Sequence, residues 1–262
     1  MDTNRPSVLR FWLLTILMMW VSHVIAYFCH EYSHSFVAWL FGFKTNPFAI
    51  EYGGFNIRNV LLQVQVDDDV SYRAILAQGH GHIAALIAFA GMGFGNGLLY
   101  LFSRCLLRNE KVRIHAPLFL FSFWLCFMNV ANFYDYVPIR TFTTHGDIGY
   151  LSQGLSISPW LILIVLGYPT VCAIWHLFAR LLPDTYQLLP RGSKVQGTIL
   201  VAVCAFIMFD YFGASGLFGY GEVSSTLSGI SMLSFPMVLV ICWPARKSGF
   251  FTTHGELDSG HY

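Results

Sequence analysis

The sequence predicts an all-α, polytopic membrane protein with about six transmembrane helices, and its composition is the first evidence for this class. The chain of 262 residues is 55% hydrophobic, has a mean hydropathy of +0.56 and carries only 11% charged residues. Soluble domains carry about 25% charged residues, so this balance is typical of an integral membrane protein. The formal net charge of +1 gives no basis for nucleic-acid binding.

Several apolar stretches reach the length of about 20 residues that a helix needs to cross a bilayer. The first two predicted spans are longer than one crossing requires, so we expect them to tilt, protrude or break. We divide the chain into a membrane core at 1–155 and a second part at 156–262, which adds further spans and a short cytoplasmic tail. The predicted spans are 9–42, 74–103, 116–134, 157–182, 196–213 and 228–244.

The segment 44–73 follows the first span and differs from it in pattern. Residues 48–52 and 60–66 contain β-branched side chains in partial alternation, and glycines and aspartates punctuate them. Such a pattern is typical of two short strands joined by a turn. We therefore expect a short β-hairpin at the membrane surface after the first helix, with an irregular loop as the alternative.

Charges between the spans predict the orientation of the protein. Loops 104–115 and 180–194 carry an excess of lysine and arginine, as do the N-terminus and the segment after the last span at Arg246 and Lys247. The loops that would lie on the opposite side of the membrane, at 43–73, 135–147 and 214–227, are neutral or acidic. Because basic loops tend to stay in the cytoplasm, we expect a multi-pass membrane protein with both termini in the cytoplasm.

The first apolar run contains the sequence His30-Glu31-Tyr32-Ser33-His34, which has the form His-Glu-x-x-His. Residues four apart share one face of a helix, so His30 and His34 can bind one zinc ion together. Glu31 lies beside them, where it can accept a proton from a water molecule that the metal activates. Polar groups of this kind are costly in hydrocarbon, which indicates a functional site.

Hydrolytic zinc sites usually have three protein ligands and one open position for water. The predicted orientation places Asp147, just before the fourth span, on the same side as the C-terminal half of the first span. Asp147 is therefore our candidate for the third ligand of one Zn²⁺ per chain. Other candidates for that position are Asp135, His145, His80 and His82.

Glycines and histidines set the second predicted span apart. Glycines at 91, 93, 95 and 97 would allow a close approach to the first span. His80 and His82 fall near the beginning of the second span, and histidines are costly in a membrane. They could line a water path, bind substrate or support the metal ligands, and a purely structural role is the alternative.

The order of these features resembles that of the site-2 protease family of intramembrane zinc metalloproteases, over about residues 15–155. In that family, His-Glu-x-x-His on one helix is followed by an intervening helix and then by an Asn/Pro segment that leads to Asp-Gly. Here the motif at 30–34 is followed by the second span, the segment 129–138 and Gly146-Asp147. The chain departs from the family where Asp135 stands in place of Asn and where Gly precedes Asp.

The resemblance implies that zinc is bound by both histidines of the motif and by Asp147, with Glu31 as the catalytic base. It also implies that Asn129 or Asn132 steadies the substrate backbone. The implied activity is that of a metalloendopeptidase, which hydrolyses peptide bonds in or near transmembrane segments of protein substrates within the lipid bilayer. Regulation by a membrane partner is a further expectation.

Two other functions remain open at this stage. The first is a non-proteolytic zinc-binding protein that holds transmembrane segments, and the intact Glu31 argues against it, because binding zinc does not require that carboxylate. The second is a metal transporter, which would need ligands along several helices, whereas the candidate ligands cluster on two helices and one loop.

Overall fold

The computed structural model describes residues 7–186 and 194–242. Within these ranges, six helical segments are long and apolar enough to cross a membrane, as the sequence predicted. The flank at Arg246 and Lys247 lies outside the described residues, and the orientation of the termini stays a prediction. The six spans, numbered here in chain order, are Val8–Leu40, Gly81–Arg108, Ala116–Ile139, Pro159–Thr185, Lys194–Leu217 and Glu222–Ile241.

The first span is one unbroken helix of 33 residues, which is about 50 Å long. Its sequence contains neither glycine nor proline, and Ser7 caps its beginning by accepting a hydrogen bond from the Arg10 backbone N–H at 3.3 Å. The helix ends before Gly42, whose φ of 77° is readily adopted only by glycine. This length exceeds a hydrocarbon thickness of about 30 Å, so the helix must tilt or protrude.

The second span begins later than predicted. Tyr72–Ala77 is a separate short helix, and Gly79 breaks the chain with a φ of 82° before the span begins at Gly81. The predicted beginning at residue 74 was therefore wrong. In consequence, His80 and His82 lie exposed at the N-terminal end of the span.

The third span forms the centre of the helical bundle. It is the most buried of the six spans, and it contacts all five others. Three large side chains, Phe123, Trp124 and Phe127, are fully buried along it. Close packing around this helix fixes the relative positions of the first and second spans, which carry most of the candidate site.

The predicted β-hairpin in 44–73 was wrong. None of the described residues forms a β-strand, and the two arms of this segment meet in one isolated antiparallel bridge between Glu51 and Asp67. Ile57–Leu62 is helical instead, because the Asn56 side chain caps its first turn by accepting a backbone N–H. This local cap outweighs the strand preference of the β-branched residues.

The segment 44–71 folds back along the first span. Trp20 Nε1 donates a hydrogen bond to the Val60 carbonyl at 3.3 Å, and His23 Nε2 lies 3.4 Å from the Leu62 carbonyl. Trp20 is 20 residues before the end of the first span, which corresponds to about 30 Å along the helix. The segment therefore covers one side of the first span over much of its length.

A short helix, Gly146–Leu155, joins the third and fourth spans and carries Asp147 in its first turn. It packs tightly against the N-terminal half of the second span, since a Cβ added to Gly154 would lie only 2.3 Å from the Gly81 carbonyl oxygen. Two glycines therefore allow the helix backbones to touch. This contact directs Asp147 towards the first span.

Candidate metal centre

Three donor atoms from separate parts of the chain converge between the first and second spans. The Nε2 atoms of His30 and His34 are 3.0 Å apart. Asp147 Oδ2 lies 2.9 Å from His30 Nε2 and 3.2 Å from His34 Nε2. The structure thus brings together the three residues that the sequence suggested as ligands, and the two histidines are only 3% and 1% exposed.

The protonation of His34 follows from its hydrogen bond. Its Nδ1 lies 2.6 Å from the backbone carbonyl oxygen of Ile87, which can only accept a hydrogen bond. Nδ1 must therefore carry the proton. In the neutral imidazole, Nε2 is then left with a lone pair that faces His30 and Asp147.

A longer chain of hydrogen bonds orients His30. His30 Nδ1 lies 2.7 Å from Asn96 Oδ1, and Asn96 Nδ2 donates to the Ala26 carbonyl and to Asn129 Oδ1 at 3.2 and 2.9 Å. Asn129 Nδ2 donates in turn to the Leu125 carbonyl at 2.7 Å. Because backbone carbonyls can only accept hydrogen bonds, they fix the direction of both amides, and Asn96 therefore turns its oxygen towards His30. His30 Nδ1 must then carry the proton, and the neutral ring presents a lone pair at Nε2.

The three converging donors fit a zinc ion. Lone pairs and a carboxylate oxygen that face one another repel unless a cation or a proton lies between them. Donors at about 2.0–2.1 Å from a tetrahedral zinc ion are about 3.3 Å from each other, close to the spacings seen here. Two histidines and one carboxylate form a common donor set of catalytic zinc sites, which keep a fourth position open.

Gly91 on the second span leaves room for these donors. A Cβ added to it would lie 2.2 Å from His34 Nε2 and 2.6 Å from His30 Nε2. The second span also changes to wider π-helical turns over Gly91–Asn96, a feature that often marks functional sites. These turns place the bare backbone of Gly91 against both histidines and the side chain of Asn96 against His30.

Asp147 is held in its anionic form. Burial alone would raise the pKa of this carboxyl group, but when the imidazoles are protonated, the positive charge of His34 and hydrogen bonds from His30 and His34 outweigh that effect and keep its pKa below the usual range. A divalent cation would supply this positive charge in place of the protons and leave both imidazoles neutral as ligands. A carboxylate that stays ionised is a suitable ligand for a divalent cation.

Glu31 lies beside the three donors but is not one of them. It is 8% exposed, and its carboxylate forms a second group with His34 and Asp68, whose nearest donor atoms lie within 4.8 Å of one another. Tyr72 donates a hydrogen bond to Asp68 Oδ2 at 2.5 Å. Asp68 and Tyr72 were not expected near the site, because the pattern of 44–73 predicted a surface hairpin there. The acidic run at 67–69 was the one signal in the sequence for this position.

Asp135 has a structural partner instead of a place at the metal centre. It forms an ion pair with Arg140 and accepts a hydrogen bond from Ser215. The Arg140 guanidinium lies 4.0 Å from the centre of the Tyr136 ring, which stacks on the His30 imidazole at 4.8 Å. Asp135 therefore supports one face of the His30 ring through two intermediate side chains.

The remaining candidates from the sequence lie in none of the donor groups found among the described residues. His145 stacks on the Tyr220 ring at 5.0 Å, and His80 contacts the Phe43 ring at 5.4 Å. His82 is exposed. Asn132 is buried, and its side chain donates to the Met128 carbonyl at 2.8 Å.

We expect Asn96→Ala to weaken zinc binding by about 10- to 100-fold, because loss of the partner of His30 Nδ1 frees the ring and its tautomer. Titration with zinc against a competing chelator measures this affinity. Asn132→Ala is the matched control, since it removes another buried amide of the bundle and should leave the affinity unchanged. Equal affinities for both variants would exclude an orienting role for Asn96.

The donor spacing, the hydrogen bonds that orient the imidazoles and the space at Gly91 all favour a metal-binding centre in the membrane core. The resemblance to the site-2 protease family stays a prediction. Comparisons of the chain with protein-family models, curated proteins and solved structures give no match.

Proposed function

We propose that the protein is an intramembrane zinc metalloprotease, which hydrolyses peptide bonds in or near the transmembrane segments of other membrane proteins. The observation that carries this proposal is that Asp147 meets His30 and His34 beside a membrane-spanning helix, with Glu31 next to them. The family resemblance at 30–34 and at 129–147 supports the same activity.

Glu31 supplies the acid–base chemistry in this proposal. When bound, zinc would polarise the scissile carbonyl and lower the pKa of water towards ~7. The Glu31 carboxylate takes the proton from the attacking water and delivers it to the leaving nitrogen. Its buried position excludes bulk water, which strengthens its interaction with the reacting groups.

The surrounding side chains hold the reacting groups in place. Asn96 and the Ile87 carbonyl fix the imidazoles, and Tyr136 covers one face of the His30 ring. The segment 44–71 closes one side of the first span, so a substrate helix must approach from another side. The substrate must also unwind locally, because the amides of an intact helix are occupied by their own hydrogen bonds.

The two other functions are less well supported. A protein that only binds zinc or transmembrane segments has no need for a buried carboxylate next to the ligands, and Glu31 occupies that position. A transporter requires a path with successive ligands across the membrane. Among the described residues, the possible donor groups are confined to one cluster around His34.

The proposal is tested by metal analysis together with a cleavage assay. We expect the purified chain to contain one zinc ion and to cleave some members of a panel of co-expressed single-span proteins, tagged at both ends. A membrane-permeant chelator should stop cleavage, and added zinc should restore it. Full cleavage by a preparation stripped of divalent metal would contradict the proposal.

A further inference from the structure

A cavity of about 420 Å³ lies where the second and fourth spans end, away from the metal centre. Four arginine side chains line it together with one aspartate, so cationic groups are in clear excess. Trp175 and His176 complete its polar and aromatic wall. The lining arginines are Arg104, Arg108, Arg113 and Arg180.

Most of this positive charge is not neutralised by the described residues. One ion pair forms at the cavity, between Arg113 Nη2 and Asp184 Oδ2 at 3.4 Å. The Arg104 guanidinium lies against the ring nitrogens of His176, which is a polar contact but brings no negative charge. The site therefore has the charge that an anionic ligand requires.

An apolar groove continues from this cavity. It has a volume of about 660 Å³ and runs between the second, third and fourth spans, lined by side chains such as Leu101, Phe133 and Leu166. His176 lines both the cavity and the groove. Trp175 is 56% exposed beside them, as is common for aromatic side chains at the level of lipid headgroups.

We propose that the cavity and the groove together bind one anionic phospholipid. The phosphate would lie among the arginines, whose planar guanidinium groups suit phosphate oxygens, and an acyl chain would follow the apolar groove. Basic pockets between transmembrane helices are typical sites for acidic headgroups. The junction of a cationic pocket with an apolar groove matches an amphiphile and does not match a free anion.

Native mass spectrometry of the full chain, titrated with dioleoylphosphatidylglycerol or dioleoylphosphatidylcholine, tests this proposal without relying on catalysis. We expect one phosphatidylglycerol to bind in clear preference to phosphatidylcholine. Arg108 and Arg180 are exposed, so replacing both with Gln should spare the fold. In that double variant, we expect the preference for phosphatidylglycerol over phosphatidylcholine to fall at least about tenfold.

Arg10→Gln is the matched control, because Arg10 is exposed at the beginning of the first span, at the same predicted membrane face but outside the cavity. It should retain the preference of the wild type, and so should the double variant Arg108→Lys, Arg180→Lys, which keeps both positive charges. Equal binding of both lipids, or an unchanged preference in the Gln variant, would overturn the site. Displacement of the lipid by an equal concentration of inorganic phosphate would overturn the lipid assignment.

Discussion

If the protein is the zinc metalloprotease proposed above, we expect Glu31→Gln to suppress proteolysis while the chain retains one zinc ion. The amide has nearly the shape of the carboxylate, but it cannot accept the proton of the attacking water. General acid–base catalysis contributes about 10²- to 10⁴-fold to rates, so we expect cleavage to fall by about that factor. Zinc should remain, because the three converging donors come from His30, His34 and Asp147.

Quantification of substrate fragments, with zinc content measured in the same preparation, provides the test. Glu51→Gln is the matched control: the same change is made at an exposed carboxylate of the covering segment, and activity should persist. A Glu31→Gln protein that cleaves as fast as the wild type would remove Glu31 from the reaction. Loss of zinc in this variant would instead make Glu31 part of the ligand set.

The sequence was sufficient for the parts of the molecule that depend on local periodicity. Six spans follow from apolar runs, and residues 30 and 34 must share a face once the first run is helical. Of the four glycines expected to bring the first two spans together, Gly91 and Gly95 do so, since a Cβ on Gly95 would lie 2.7 Å from the Cys29 carbonyl oxygen. A Cβ on Gly93 or Gly97 would instead first meet residues of the second span itself.

Features that depend on tertiary contacts were missed. No local sequence pattern connects Asn96 to His30, because the two residues are 66 positions apart and meet only when their two spans pack together. Asp68 reaches the donor cluster only because the segment 44–71 folds back along the first span. That path arises from side-chain caps and isolated hydrogen bonds, which a pattern of alternating residues does not reveal.

The position of Asp147 shows how a weak motif can still yield the expected geometry. Gly146 precedes it with a φ of 70°, a conformation that glycine adopts without steric cost, and a helix continues from there. The glycine contact between that helix and the second span then sets the depth of the carboxylate. A family motif with the reverse order, Asp-Gly, could not have indicated this arrangement.

We therefore expect Asp147→Ala to prevent binding of the proposed zinc ion. The substitution deletes one of three donors and leaves two imidazoles in a buried site, and the neighbouring carboxylates of Glu31 and Asp68 group with His34 but not with both imidazoles. Loss of an orienting partner alone typically costs 10–100-fold in metal affinity, so loss of a direct ligand should cost at least about 100-fold. Chelator competition measures the affinity, and elemental analysis measures the occupancy.

Asp135→Asn is the comparison that distinguishes the two aspartates proposed from the sequence. Its carboxylate pairs with Arg140 and supports His30 only through the Tyr136 ring, so this variant should keep zinc with an affinity within about tenfold of the wild type. If Asp135→Asn lost zinc and Asp147→Ala kept it, the third ligand would be Asp135. The donor geometry predicts the opposite order, because of these two aspartates only Asp147 has an oxygen within hydrogen-bonding distance of both Nε2 atoms.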